Sequence, residues 1–310
     1  MKKLQIRIGH LSTAYHTNFI LMADNSLAES MNREVIWKLY GTGPSMIQAF
    51  RENELDIGYM GLPPAIIGIS NGLPLKCVAG GHVEGTIMIA KKNYKTILDL
   101  DNDFYKLFKQ FENKSVGVPS EGSIHDVILK SLMEEYCKEI RVKIQNYTQA
   151  EFIALDMKNN KLEAGVGTPS LAIFASTLVK SKIIVPSNYF WADNPSYGIF
   201  FTEKLIKENP ELVFEFLKYH KKSSYLLREN PSRAAEIISK TFSILSKEYV
   251  ESVLKISPKY CIALSEGYIN ATMKFVELLY KLGYINQLIG VDDIFNLKFV
   301  QEIHPEMPHY

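Results

Sequence analysis

His10, His16, His82 and His125 stand among glycines, serines and threonines, with Glu84 and Glu121 near them in the chain. These residue types can ligate a metal, but a metal centre needs three or four ligands converging at set spacings. The sequence has no H-E-x-x-H pair, and His82-x-Glu84 is a weak substitute. The four histidines are therefore expected in turns, as hydrogen-bonding residues of a cleft or as plain turn residues, with no metal. Ser45, Ser120 and Ser123 offer hydroxyl groups, yet none lies in the G-x-S-x-G elbow that exposes a nucleophilic serine. Helix capping explains them more simply. Cys77, Cys137 and Cys261 are far apart and odd in number. Disulfide frameworks and structural zinc sites need paired spacings, so these are expected to be reduced, buried, small apolar residues.

A second signal is the stretch "GTGPSMIQAF", residues 41 to 50, which leads from one strand-like run into an amphipathic helix. A phosphate loop needs G-x-x-x-x-G-K-[ST] and a dinucleotide turn needs G-x-G-x-x-G. Here Pro44, Ser45 and Met46 follow the two glycines, so both the lysine and the third glycine are missing. The helix N-terminus itself remains, and its free N–H groups attract an anion or a polar oxygen. "GLPPAI" (61 to 66), "PSEGSIH" (119 to 125) and "GTPSLA" (167 to 172) also end a strand and open a helix. In open α/β sheets ligands sit beyond the carboxyl ends of the strands. Four such turns facing one another make a more specific signal than any one of them.

Tyr15, Trp37, Tyr59, Tyr189, Trp191 and Tyr197 are large enough to stack on a planar ligand, although most such residues belong to cores. Trp191 and Tyr197 are favoured for the cleft because "YFWADNPSYG" reads as polar and loop-like. No arginine or lysine stands among the turn residues. A strong dianion usually meets a guanidinium fork, so a weak anion or a polar neutral solute is expected, and Glu121 and Asp193 would tolerate a cationic group.

The elements that must position these turns alternate along the chain. "LQIRIGHL", "EVIWKLY", "DIGYMG", "LPLKCVAGG" and "GTIMIAKK" read as strands, separated by helices through "FILMADNSLAESMN", "SMIQAFRENEL" and "LPPAIIGISNG". The pattern restarts after residue 95. "TILDL" and "FYKLFKQFENK" read as helical, then strands "SVGVPSEGS" (ending in a turn), "VKIQNYT", "AGVG", "KIIVPSNYF" and "YGIFFTEKLI" follow. Ser123 is the expected N-cap of "IHDVILKSLMEEY", with Asp126 in capping-box position. Thr168 caps the next helix, with Pro169 at its first position. After about residue 205 only amphipathic helices remain. Units of this length imply right-handed crossovers and parallel core sheets. The reading is two α/β lobes joined by two linking strands: residues 1–87 with 199–310, including the helical tail, and residues 88–198. The ligand would lie in the cleft between them.

Composition sets limits. The 310 residues are 46% apolar and 22% charged with a net charge of +1, which gives no basic face for nucleic acid. No window approaches the roughly 18 apolar residues that span a bilayer. Met1, Lys2 and Lys3 could open a signal peptide, but no apolar h-region follows. The chain as written reads as cytoplasmic, and a leader removed earlier stays open.

The order "IRIGHLSTAYH … WKLYGTGPSMIQAFRENELDIGYMGLPPAIIGISNGLPLKCVAGG", with "VGVPSEGSIHDVILKSLM" after it, resembles the substrate-binding proteins of ABC importers for nitrate, sulfonates and taurine. It is similar also to the binding proteins for thiamine-pyrimidine precursors. The resemblance covers residues 4 to 200, and the tail fits only in kind. It implies a type II periplasmic-binding-protein fold, with a two-strand hinge and a helical tail on the first lobe. By position it puts Thr13, Tyr15, His16, Thr42, Gly43, Ser45, Met60, Gly61 and Leu62 in the cleft, and His82, Gly85 and Thr86 at the crossover. From the second lobe come Ser120, Gly122, Ser123, His125, Gly167 and Thr168, with Asn194 and Tyr197 near the return strand. It implies a small-molecule ligand, permease and ATPase partners, an extracytoplasmic site, no cofactor and no catalysis, in a monomer. Same-fold enzymes of cofactor-precursor pathways and a cytoplasmic ligand sensor are the alternatives.

Overall fold

The alternating pattern becomes two five-stranded sheets in a computed structural model that describes residues 4–257 and 259–310. Met1, Lys2 and Lys3, the residues weighed as the start of a leader, lie outside the described residues. The first sheet holds β1 (Gln5–Leu11), β2 (Glu34–Tyr40), β3 (Ile57–Met60), β4 (Leu75–Val83) and β10 (Pro195–Thr202). Its order is β2-β1-β3-β10-β4. The second holds β5 (Ile87–Ala90), β6 (Ser115–Pro119), β7 (Lys143–Tyr147), β8 (Ala164–Gly167) and β9 (Lys182–Val185), in the order β7-β6-β8-β5-β9. In each sheet four strands run parallel, and one antiparallel strand lies between two of them: the late strand β10 between β3 and β4, and the early strand β5 between β8 and β9.

Helices cover both faces of the first sheet, so its central strands carry no polar face. All four residues of β3 are buried. Met46 and Phe50 pack with Leu75 on one side, and Ile8, Ile57, Ile199 and Phe216 on the other. Full burial of each such side chain contributes about 1.5–3 kcal/mol.

The tail helices include Pro210–Glu229, Pro231–Thr241, Lys247–Lys255 and Glu266–Lys281. They pack on the first lobe: Phe216 meets Phe201 edge-on at 5.4 Å, and Tyr268 Oη donates to the Tyr197 carbonyl at 3.0 Å. The tail also reaches the second sheet's helices. Tyr249 Oη donates to the Ser170 carbonyl at 3.1 Å, and Tyr284 Oη to Asp126 Oδ2 at 2.8 Å.

Some elements differ from the sequence reading. "FILMADNSLAESMN" is two short helices, Asn18–Met22 and Ser26–Ser30. Asp24 between them accepts from the backbone N–H and the hydroxyl of Ser26, and such local bonds compete with helix continuation. The "KIIVPSNYF" strand stops at Val185, because Pro186 has no N–H for the ladder, and Ser187–Phe190 is helical. "TILDL" shrinks to a 3-10 turn, Leu98–Leu100. His10 and His82 lie within β1 and β4, not in turns. All three cysteines are free and buried, as expected. Among the described residues no helix is long and apolar enough to cross a membrane.

Candidate ligand-binding site

Two crossings join the sheets: residues 84–86 between β4 and β5, and residues 186–194 between β9 and β10. They are tied to each other. The Glu84 N–H donates to the Asn194 carbonyl at 2.7 Å, and the Asp193 N–H to Glu84 Oε1 at 3.3 Å. Lys259 Nζ holds the same carboxylate at 2.8 Å. Glu84 and Asp193 both have left-handed backbone angles, φ 59° and 57°, which few non-glycine residues adopt. Gly85 lies so close to Ser196 that a β-carbon would fall 1.9 Å from its Oγ.

Between the sheets lies a cavity of about 60 Å³. From the first lobe, Thr13 lines it after β1, Thr42 and Gly43 after β2, and Gly61 and Pro64 after β3. From the second lobe, Ser123 and His125 follow β6, Glu151 follows β7, and Thr168 and Ser170 follow β8. The helices starting at these points, Gly43–Arg51, Leu62–Ser70, Ile124–Tyr136, Glu151–Lys158 and Pro169–Val179, all open toward the cavity. Every contributor comes from the carboxyl end of a strand, where α/β sheets bind ligands. The free room is well below the roughly 150 Å³ that admits benzene in an engineered cavity. In this conformation the cavity is too small to hold an organic solute of benzene's size.

Caps occupy part of each turn. Thr42 and Ser45 form a reciprocal capping box. Ser123 Oγ accepts from the Asp126 N–H at 3.3 Å, and Thr168 Oγ1 from the Leu171 N–H at 3.2 Å. Asp126 does not complete a box with Ser123, because its carboxylate takes the Gly122 N–H instead, at 3.0 Å. The free N–H groups of a first turn attract anions. Proline removes donors at Pro44, Pro63, Pro64 and Pro169, and the Ile124–Tyr136 and Glu151–Lys158 helices keep the N–H groups of their first turns.

Buried polar atoms without partners point the same way. Thr13 Oγ1 and Ser170 Oγ line the cavity and make no hydrogen bond, and Ser120 Oγ, next in the chain to the lining residue Pro119, also makes none. Such groups cost stability unless something bonds them. His125 Nδ1 lies 3.0 Å from Thr86 Oγ1, and burial pushes its pKa down to about 4. No lysine or arginine lines the cavity among the described residues; its one charged lining residue is Glu151, which accepts from Ser12 Oγ across the cleft at 3.0 Å.

A family model described as the NMT1-like family matches residues 1–241. The chain belongs to the NMT1-like family. A Brucella abortus protein named as a candidate binding protein is 21% identical over 245 residues, covering 78% of this chain and 72% of that one. The taurine-binding periplasmic protein of Escherichia coli is 23% identical over 224 residues, covering 69% of this chain and 65% of that one. The ligand-binding component of an ABC-type import system from Staphylococcus aureus, solved with zinc bound, superposes with a TM-score of 0.81 at 16% identity. That alignment covers 98% of this chain and all of that one. The resemblance to importer binding proteins, read from the first four strands and their turns, therefore holds, and the relatives are named as binding proteins.

In this NMT1-like protein the expected site residues fall into two groups. Thr13, Thr42, Gly43, Gly61, Ser123, His125 and Thr168 meet at the cavity. Ser45 is exposed, its hydroxyl turned back to the Thr42 carbonyl at 2.7 Å. Met60 and Leu62 are core residues. Gly122 holds the turn before Ser123 with φ 75°, and Gly167 ends β8.

Tyr15, His16, His82 and Tyr197 form a buried polar-aromatic cluster in the first lobe. The His16 ring lies 3.9 Å from that of Tyr197, and Tyr15 bonds Ser196 at 3.0 Å. Tyr197 Oη donates to Thr17 Oγ1, which lies 2.9 Å from His220 Nδ1; His220 Nε2 is 2.8 Å from the Gly80 carbonyl. This chain of donors leaves His220 protonated on Nε2. Burial holds His16 well below the ordinary histidine value and pushes His82 to about 3 and His220 to about 4. Asn194 is buried at the hinge with Nδ2 on the Trp191 carbonyl. Trp191 packs on Phe275 at 4.4 Å. Glu121 is paired with Lys130 at 3.0 Å, and the Asp193 carboxylate lies against Gly267.

Sequence reasoning missed Ser12, Gly41, Glu151 and Ser170 at the cavity. Ser12, Gly41 and Ser170 adjoin residues already singled out, and the "YTQAE" turn after β7 is a fifth strand-to-helix junction of the same kind.

Proposed function

We propose that this protein is the solute-binding component of an ABC-type importer, trapping one small polar or weakly anionic organic molecule between two lobes without transforming it. The observation that carries the reading is the convergence of strand-end turns from both sheets on one cavity, where Thr13 and Ser170 hold buried hydroxyls with no partner. The names of the relatives, a taurine-binding protein and a component of an ABC-type import system, support it.

The lobes hinge at residues 84–86 and 186–194, so that β10 moves with the first lobe from Pro195. Ligand closes the cleft, and a permease with its ATPase reads the closed form. With Glu151 and a neutral His125 at the cavity and no cation among the described lining residues, the solute is polar and neutral, or a weak anion held by helix N-termini. Thr42, Ser123 and Thr168 use their hydroxyls as helix caps, and Thr13 and Ser170 are left to bond the solute.

Native mass spectrometry of the purified protein tests this. A retained small solute, released unchanged on denaturation, is the expected result. A bound molecule that is chemically converted on incubation would overturn the binding-only reading in favour of a same-fold enzyme.

A further inference from the structure

Away from the cleft, at the chain's carboxyl end, three potential ligand atoms form a nearly equilateral triangle. Cys261 Sγ lies 3.4 Å from His304 Nε2 and 3.4 Å from His309 Nδ1, and the two nitrogens are 3.3 Å apart. Tetrahedral zinc has bonds of about 2.3 Å to sulfur and about 2.0–2.1 Å to nitrogen. Those lengths imply edges of about 3.3 Å between nitrogens and about 3.5 Å between sulfur and nitrogen. The three measured edges match one face of that tetrahedron. Among the described residues, this is the group of histidine, cysteine and acidic side chains whose donor atoms converge closely enough for one ion.

We propose that Cys261, His304 and His309 bind a zinc-class divalent ion, the thiol losing its proton as the metal enters. Cys261 and His304 are buried and His309 is exposed, so the ion is reached from the surface. A carboxylate stands behind one ligand, as is usual for metal-bound histidine. Glu306 Oε2 lies 3.4 Å from His304 Nδ1, beyond a made hydrogen bond in this structure, while Nε2 is the nitrogen that faces Cys261 and His309. Glu306 also accepts from Lys221 Nζ at 2.6 Å.

With three protein ligands one position stays open, and a cavity of about 160 Å³ borders all three. Water or a small anion fills the fourth position, favoured by Lys221 and Arg228 in the same wall.

The ion would pin the last residues to the first sheet. Tyr310 Oη already donates to the Cys261 and Ala263 carbonyls at 2.8 and 2.9 Å, and the Ile262 carbonyl accepts from the Gly80 N–H beside β10. Sequence spacing could not show the site, since Cys261 lies far along the chain from the two histidines.

Cobalt(II) titration of the full-length, metal-stripped protein tests the proposal. The expected result is one ion per chain, with a thiolate-to-cobalt charge-transfer band and intense tetrahedral d–d bands. Zinc should displace the cobalt and raise the melting temperature. Cys261→Ser should abolish the charge-transfer band. His309→Ala, at an exposed position that leaves the core intact, should weaken zinc at least about 100-fold, since losing even a hydrogen-bond partner of a ligand reaches that figure. Cys77→Ser should keep the band. Absence of the band in the wild type, its survival in Cys261→Ser, or unchanged zinc affinity in His309→Ala would each overturn the proposal.

Discussion

The Thr86 hydroxyl lies 3.0 Å from Nδ1 of His125, joining the first hinge crossing to the opening turn of the Ile124–Tyr136 helix. Both residues are buried, and His125 borders the cavity. Thr86→Val would leave a buried imidazole nitrogen without a partner, which costs about 1–3 kcal/mol. Urea unfolding of the variant should show that loss. His125→Ala should weaken the retained solute by about 0.5–1.5 kcal/mol, the worth of one neutral hydrogen bond. Because burial keeps His125 neutral to about pH 4, affinity in the wild type should be flat from pH 5.5 to 8. A rise in affinity on acidification through pH 6 would show that a cationic histidine takes part.

Stability should depend on pH through the same physics. His82, His125 and His220 have folded-state values of about 3, 4 and 4, against about 6.5 in an unfolded chain. Below pH 6.5 the unfolded chain therefore binds more protons than the folded one. Stability is full above pH 6.5 and falls as the pH drops toward 4, by about 1.4 kcal/mol per pH unit for each histidine in its window. Chemical denaturation at pH 7.5, 6 and 5 should give successively lower unfolding free energies. A flat profile would mean that these histidines are solvated in the folded state.

Closure of the cleft should be sensitive to Gly41. A β-carbon there would stand 2.6 Å from the Thr148 carbonyl oxygen of the opposite lobe, and a backbone atom cannot step aside as a side chain can. Gly41→Ala should hold the lobes apart and lower solute affinity at least tenfold. Its melting temperature without solute should stay close to wild type, because Gly41 is exposed within its own lobe. Small-angle scattering in the presence of solute should report a larger radius of gyration than for the closed wild type.

The fold was readable because period-2 strands, 3.6-period helices and glycine or proline junctions are local signals. The cleft was readable for a related reason: Thr42, Ser123 and Thr168 are helix caps, and caps at strand ends mark the ligand side of an α/β sheet. Depth was not readable. Nothing in "STAYH" distinguishes Thr13, which faces the cavity, from Tyr15 and His16, which turn inward to Ser196 and Tyr197. That depends on the tail helices, whose His220 anchors the buried chain through Thr17. Likewise "YFWADNPSYG" looks polar, yet β10 carries Tyr197 through the middle of the first sheet, where no residue is exposed before Thr202.

Ser45 and Ser123 separate capping from binding. Each stands in the capping turn of a helix that opens on the cleft, Ser123 as the N-cap and Ser45 as the partner of the N-cap Thr42, and both looked equivalent in the sequence. Ser123 is buried and borders the cavity, while Ser45 is exposed and bonds back to Thr42. Ser123→Ala removes the N-cap of the Ile124–Tyr136 helix, at a cost of about 0.5–2 kcal/mol in stability. It also deprives the solute of a hydroxyl at a proline-free helix N-terminus that opens on the cavity. Ser45→Ala loses only the return half of a box in which Thr42 still caps. Calorimetric titration with the solute identified by mass spectrometry should therefore show weaker binding for Ser123→Ala, by about 0.5–1.5 kcal/mol, and wild-type affinity for Ser45→Ala. Equal losses in the two variants would mean that the solute sits against the Gly43–Arg51 helix rather than across the cleft.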